Sequence, residues 1–281
     1  MPTATRTMTS RERYLETLSF GSPDRIPFAP GGPRKSTLEA WHRQGLPEGV
    51  NWFHHLCAQL GLEPPEKEGP QPGVNFRMIP MFEEKVLEHK DGHYLVQDCM
   101  GNITEISDQY DVTYIRNAID FVTRRWHKFP VECRADFEGM KARYRAGQEG
   151  RYPADFAERA RLMKDRRHAT RLHVSGPFWQ LREWCGFEPL CMLFIDDPDF
   201  VRDMIAFWTE FVSQTMERAL DAGVVDVLHL SEDMAYKAHP MISPEMTRAL
   251  LQPTYERWVS EAKDSGVRLV DIDSDGAIDT L

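Results

Sequence analysis

The chain has 281 residues, 41% of them hydrophobic and 28% charged, which is enough apolar sequence for the core of one large domain or two small ones. With 11% aromatic residues and seven tryptophans, it is neither a disulfide-stapled miniprotein nor a disordered chain. Against 34 Lys and Arg stand 44 Asp and Glu, a net charge of -10, so no general electrostatic attraction to nucleic acid or anionic lipid is expected.

Thr9-Ser10-Arg11-Glu12 has capping-box spacing, and Tyr14, Leu15 and Leu18 recur at helical spacing until Gly21-Ser22-Pro23, which predicts a short opening helix. Asp24 to Phe28 reads as a brief extended segment. Ala29-Pro30-Gly31-Gly32-Pro33 is a loop that cannot be helix, with Arg34 just past it. Two helical stretches are expected between Leu38 and Leu60, divided at Gly45 to Gly49, before the Pro- and Gly-rich passage Gly61 to Gly73. Phe82 to Glu88 and Tyr94 to Asp98 flank Lys90-Asp91-Gly92-His93, a hairpin signal, and Ile103 to Ile106 would add a third antiparallel strand. This meander, residues 80–106, reads as an insertion.

Ala135 to Arg167 is charged and helical, interrupted at Gly147 to Pro153. Then the rhythm changes. Arg171 to Val174 is a strand ending in Ser175-Gly176-Pro177, and Asp197-Pro198 caps a long helix whose Phe200, Met204, Phe207, Trp208 and Phe211 share a face until Gly223. Val224 to Leu230 is the next strand, Ser243-Pro244 caps a helix running to Gly266 with a kink at Pro253, and Val267 to Asp271 is a further strand. Repetition of strand, loop and helix is the signature of a parallel α/β sheet or barrel. Five cysteines without a C-x-x-C indicate free thiols in a reducing compartment and no thiolate zinc site. The start lacks the apolar stretch of a secretory signal, and no apolar run has the length of a membrane span, so a cytoplasmic protein with no membrane partner is expected.

Met8-Thr9-Ser10-Arg11-Glu12-Arg13 through Gly21-Ser22-Pro23-Asp24-Arg25-Ile26-Pro27 resembles the start of the uroporphyrinogen decarboxylase superfamily. Trp184 to Glu188 with Asp196-Asp197-Pro198, and Ser231 to Lys237 with Ile242 to Met246, resemble its decarboxylase-like members and its corrinoid-linked methyltransferase branch. The resemblance implies a (β/α)8 TIM-type barrel with its site at the carboxyl ends of the strands. At most six barrel strands can be placed, the last ending near Asp271, so the barrel is expected to be incomplete at the C-terminus, with an open sheet edge that favours a homo-oligomer. Where the decarboxylases carry M-R-Q-A-G-R, this chain reads Phe28 to Arg34, and only Arg34 is a candidate equivalent. Where the methyltransferases carry H-x-C-G, it reads Asp271-Ile272-Asp273-Ser274-Asp275-Gly276, so neither a metal nor another cofactor is expected.

Glu232 and Asp233 follow a strand, at the rim where barrel enzymes put catalytic groups; the plain alternative is a solvated loop capping the next turn. Asp271, Asp273, Asp275 and Gly276 match the opening of a calcium loop, but a strand enters it and the twelfth position falls after Leu281, so a loop presenting carboxylates is favoured. Trp179 and Arg182 are expected at the mouth, and Phe178 in the core. His173 and His229, inside strands, read as core histidines, His54 and His55 diverge on one helix, and Cys185 and Cys191 read as packing residues. No nucleotide-binding, P-loop, nucleophile-elbow or zincin motif occurs.

The expected function is decarboxylation of a carboxylated small molecule, with a tetrapyrrole among the candidate substrates. Arg34 would hold the carboxylate, Glu232, Asp233 and Asp273 would supply acids, and Trp179, Arg182, Tyr236, Lys237 and Asp275 would line the substrate. The alternatives are methyl transfer with a corrinoid protein as partner, or a non-catalytic or defunct ligand-binding fragment.

Overall fold

The computed structural model describes residues 7–28, 30–62, 69–109 and 123–281; Ala29 and part of the passage from Gly61 to Gly73 lie outside these. Helix α1 (Ser10–Leu18) starts on the capping box: the Thr9 hydroxyl accepts from the Glu12 amide at 3.1 Å and the Glu12 carboxylate from the Thr9 amide at 2.8 Å. Helices α2 (Lys35–Arg43) and α3 (Trp52–Gln59) follow, α3 capped by the Asn51 side chain. Strands β1 (Lys85–Lys90), β2 (His93–Gln97), β3 (Ile103–Ser107) and β4 (Arg125–Lys128) form an antiparallel sheet in chain order. The hairpin turns at Asp91 and Gly92, whose φ values of 51° and 76° suit the right-handed strand twist. The fourth strand was not expected.

After α4 (Arg134–Lys141) and α5 (Phe156–Leu162) comes the second sheet, made of β5 (Arg171–Ser175), β6 (Val227–Ser231) and β7 (Leu269–Asp273), parallel and in that order. Between β5 and β6 run α6 (Pro177–Cys185), α7 (Phe187–Asp196) and α8 (Pro198–Asp221); α8 is capped by Asp197, whose carboxylate accepts from the Phe200 amide at 3.0 Å. Between β6 and β7 run α9 (Pro244–Met246), a π-helical turn (Thr247–Leu251) and α10 (Gln252–Asp264). The π turn lies just before Pro253, where loss of a backbone donor was expected to kink the helix.

The expected (β/α)8 barrel does not form. Among the described residues the strands make two separate sheets, one antiparallel and one of three parallel strands, with no closure. Eight tilted strands close such a barrel, whereas among the described residues only β5, β6 and β7 are parallel strands joined through helices. The stretch from Asp24 to Phe28 joins no ladder.

Leu172, Val174, Leu228 and Leu230 on one face of the parallel sheet enter one core with Met204, Trp208 and Val212 of α8 and Trp258 of α10. Each such side chain contributes roughly 1.5–3 kcal/mol on burial. The buried indoles keep hydrogen-bond partners: Trp184 donates to the Tyr144 hydroxyl at 3.1 Å, Trp208 to the Ser175 carbonyl at 2.8 Å, and Trp258 to the Thr209 carbonyl at 3.2 Å. The antiparallel sheet leads back to α6 through Val131, whose amide donates to the Trp184 carbonyl at 3.0 Å. No helix among the described residues is long and apolar enough to cross a membrane.

Candidate active site

Side chains alternate along a strand, and in the parallel sheet the face opposite Leu172 and Leu228 is polar in its middle and carboxyl-end rows, with Val227 and Leu269 beside Arg171 at its amino end. Register aligns His173, His229 and Asp271 across the three strands, and Ser175, Ser231 and Asp273 one pleat further toward their carboxyl ends. Asp271 accepts a hydrogen bond from His229 Nδ1 at 2.9 Å, and the His173 and His229 rings lie 4.5 Å apart. Partial desolvation of the ring where it packs beside the sheet, and next the neighbouring His229, push the His173 imidazole below its ordinary value although the residue as a whole is exposed. The two histidines, expected in the core, are instead on the polar face, His229 half-buried and His173 exposed. Alternation was the available signal. Arg171-Leu172-His173-Val174-Ser175 and Val227-Leu228-His229-Leu230-Ser231 place Leu172, Val174, Leu228 and Leu230 on one side and both histidines, with Val227, on the other.

Beyond the strand ends, Glu232 is buried completely. Its carboxylate accepts from the Trp179 amide at 2.8 Å and the Phe178 amide at 3.3 Å, at the N-terminus of α6, and from the Tyr255 hydroxyl of α10. Burial pushes this carboxyl up to about 7, against the opposing pull of those donors and of the Arg182 charge. Burial and the adjacent carboxylate hold the Tyr255 hydroxyl well above its ordinary value, so it stays protonated. Gly176 makes room for the arrangement: a Cβ there would stand 2.1 Å from the Glu232 carboxyl carbon.

Asp233 has φ of 49°, in the left-handed region, where a non-glycine residue needs support. Arg182 supplies it, donating from Nη2 to the Asp233 carboxylate at 3.0 Å and from Nη1 to its carbonyl at 3.2 Å, while the guanidinium stacks 4.2 Å from the Trp179 ring centroid. The Asp273 carbonyl accepts from the amides of Glu232 at 2.9 Å and Asp233 at 3.3 Å, and Ser274 Oγ accepts from the Met234 amide at 2.9 Å. Gly276 approaches so closely that a Cβ would meet the Tyr236 carbonyl oxygen at 2.6 Å.

The structure thus brings together Trp179, Arg182, Glu232, Asp233 and the Asp273 backbone. Tyr236, Lys237 and Asp275 are exposed on the loops beyond. Arg34 is exposed at the N-cap of α2, and the partners of Glu232 and Asp233 do not include it. Cys185 is buried and Cys191 half-buried, and no three His, Cys, Asp or Glu side chains among the described residues converge as a metal site.

A hydrogen-bonded imidazole and carboxylate can take up and return a proton, the carboxylate fixing the ring and offsetting the charge of the imidazolium. His229 and Asp271 have that geometry, the His229 side chain 16% exposed and the Asp271 side chain 39%. Comparison of the chain with protein-family models, with curated proteins and with solved structures finds no match.

Proposed function

We propose that this chain is a decarboxylase-like enzyme of the kind its motifs resemble, the uroporphyrinogen decarboxylase superfamily, acting on a small carboxylated molecule by proton transfer at His229 and Asp271. The observation that carries the reading is the 2.9 Å His229–Asp271 hydrogen bond on the polar face of a parallel sheet whose other face is core. Cleavage of the bond between substrate carbon and carboxylate releases carbon dioxide and leaves the electron pair on carbon. That carbon takes the proton from Nε2 of the His229 imidazolium, and water returns one to the ring. Asp271 holds Nδ1 and offsets the positive charge before transfer. Glu232, with no exposed surface, acts by positioning the start of α6, and Arg182 with Asp233 stiffens the rim.

Two assays on the same preparation test the reaction type. One measures carbon dioxide release from a porphyrinogen carboxylate and from a set of small aromatic and aliphatic carboxylates; the other measures methyl transfer from methylated donors to cob(I)alamin. Carbon dioxide release from at least one carboxylate is expected. Turnover in the methyl assay alone would replace this reading by the corrinoid-linked one, and turnover in neither would leave a binding protein.

A further inference from the structure

A cleft of about 350 Å³ lies beside β5, with Gln71, Gly73, Val74, Arg171 and His173 among its lining residues. Its outer wall is braced onto the strand, because the Gln71 side-chain amide accepts from the Arg171 amide at 3.0 Å and donates to the Ala169 carbonyl at 3.2 Å. Arg171 shares the outward face of β5 with His173, two residues on, a spacing of about 6–7 Å along a strand. Its guanidinium stacks on Tyr14 of α1, 4.9 Å from the ring centroid, and gives one Nη2 hydrogen bond to the Tyr14 hydroxyl. Nε and Nη1 have no hydrogen-bond partner among the described residues, so a cation held in place by an aromatic ring retains donors for an anion.

We propose that this cleft binds a non-reacting carboxylate of the substrate on Arg171, so that the enzyme acts on small dicarboxylates or polycarboxylates whose reacting carbon lies at His229. The class follows from distance. Arg171 and the histidine row stand about 6–7 Å apart along the strand, comparable to the span of a short dicarboxylate, so one such molecule can rest a carboxylate on Arg171 while its other end lies at the histidines. Size agrees, since 350 Å³ holds about a dozen water-sized groups. The inference takes its reacting centre from the proton-transfer reading above, while the Arg171 clamp is tested separately from it.

The probe is glutarate, with glutaramide as the uncharged control of the same shape, followed through the His173 ring signals by NMR. Glutarate is expected to shift those signals saturably and glutaramide to leave them unmoved. Arg171→Gln, at an exposed position, should weaken glutarate binding by about tenfold or more, and Arg171→Lys by less. Glutarate that leaves His173 unmoved, or binds Arg171→Gln as tightly as the parent, overturns the assignment. If that happens while carbon dioxide release still depends on His229, the clamp falls and the proton-transfer reading stands. If Arg171 proves to hold glutarate while turnover is indifferent to His229, the reverse holds.

Discussion

Asp226→Ala is expected to destabilise the protein by about 3–5 kcal/mol, the usual cost of removing one partner from a buried ion pair. Asp226 sits at the amino end of β6 with 2% of its surface exposed. It accepts from Arg166 at 2.7 and 2.8 Å, from Arg11 Nη2 at 2.8 Å, and from the Thr170 amide at 3.0 Å. The alanine variant would leave Arg166, itself nearly buried, without its counter-ion and would release α1 from the base of the parallel sheet. A urea-denaturation midpoint lowered by the corresponding amount is expected; a change below about 1 kcal/mol, the size typical of an exposed pair, would contradict the account.

The second large effect is a fall in stability as pH rises toward neutrality, caused by Glu232. Its carboxyl titrates at about 7 in the folded protein, against an ordinary value of 4.5, so between these values the folded state keeps a proton that the unfolded chain has lost. At about 1.4 kcal/mol per pH unit the protein loses roughly 3 kcal/mol across that window and no more above it. Asp226 behaves oppositely. Burial raises its carboxyl, but the hydrogen bonds from Arg166, Arg11 and the Thr170 amide reverse that and hold it well below the ordinary range. Its stabilisation is therefore complete above the ordinary carboxylate value and is lost only as pH falls through the lower folded one. Maximal stability is expected on the acid side of neutrality. Urea midpoints for the parent from pH 4.5 to 8 should decline, and Glu232→Gln should flatten the decline; an equal slope in both proteins would remove Glu232 as its source.

Local features were legible where one short segment contains its own cause. The capping box at Thr9 and Glu12, the Asp91-Gly92 hairpin, and the long helix opened by Asp197-Pro198 each depend on neighbouring residues, and each forms near its expected bounds. Strand edges were less legible. Val224 and Val225 were expected in β6, but Asp226 turns its carboxylate to two arginines and the ladder begins at Val227. The barrel was expected through the resemblance and from alternation that holds only from residue 171 onward. Strand number is a long-range property that no local period reveals, and the described residues before 171 form helices and an antiparallel sheet.

The site divides in the same way. Trp179, Arg182, Glu232 and Asp233 were named from their position after strands, and they do converge, because a carboxyl end of a parallel strand brings its loop to those of its neighbours. That Glu232 would be sealed beneath α6 was not legible, since its partners Tyr255 and the Trp179 amide are far away in the chain. The His229–Asp271 contact was legible in part. Each strand shows polar residues at alternate positions, but only the register of β6 against β7 sets those two side chains opposite each other.

With any carboxylate that the parent protein decarboxylates, single-turnover carbon dioxide release should be compared for the parent and His229→Asn, at equal concentrations of folded protein. Loss of a positioned proton donor predicts a rate lower by about 10²-fold or more, with the substrate still bound. An unchanged rate in His229→Asn would contradict proton transfer at this residue.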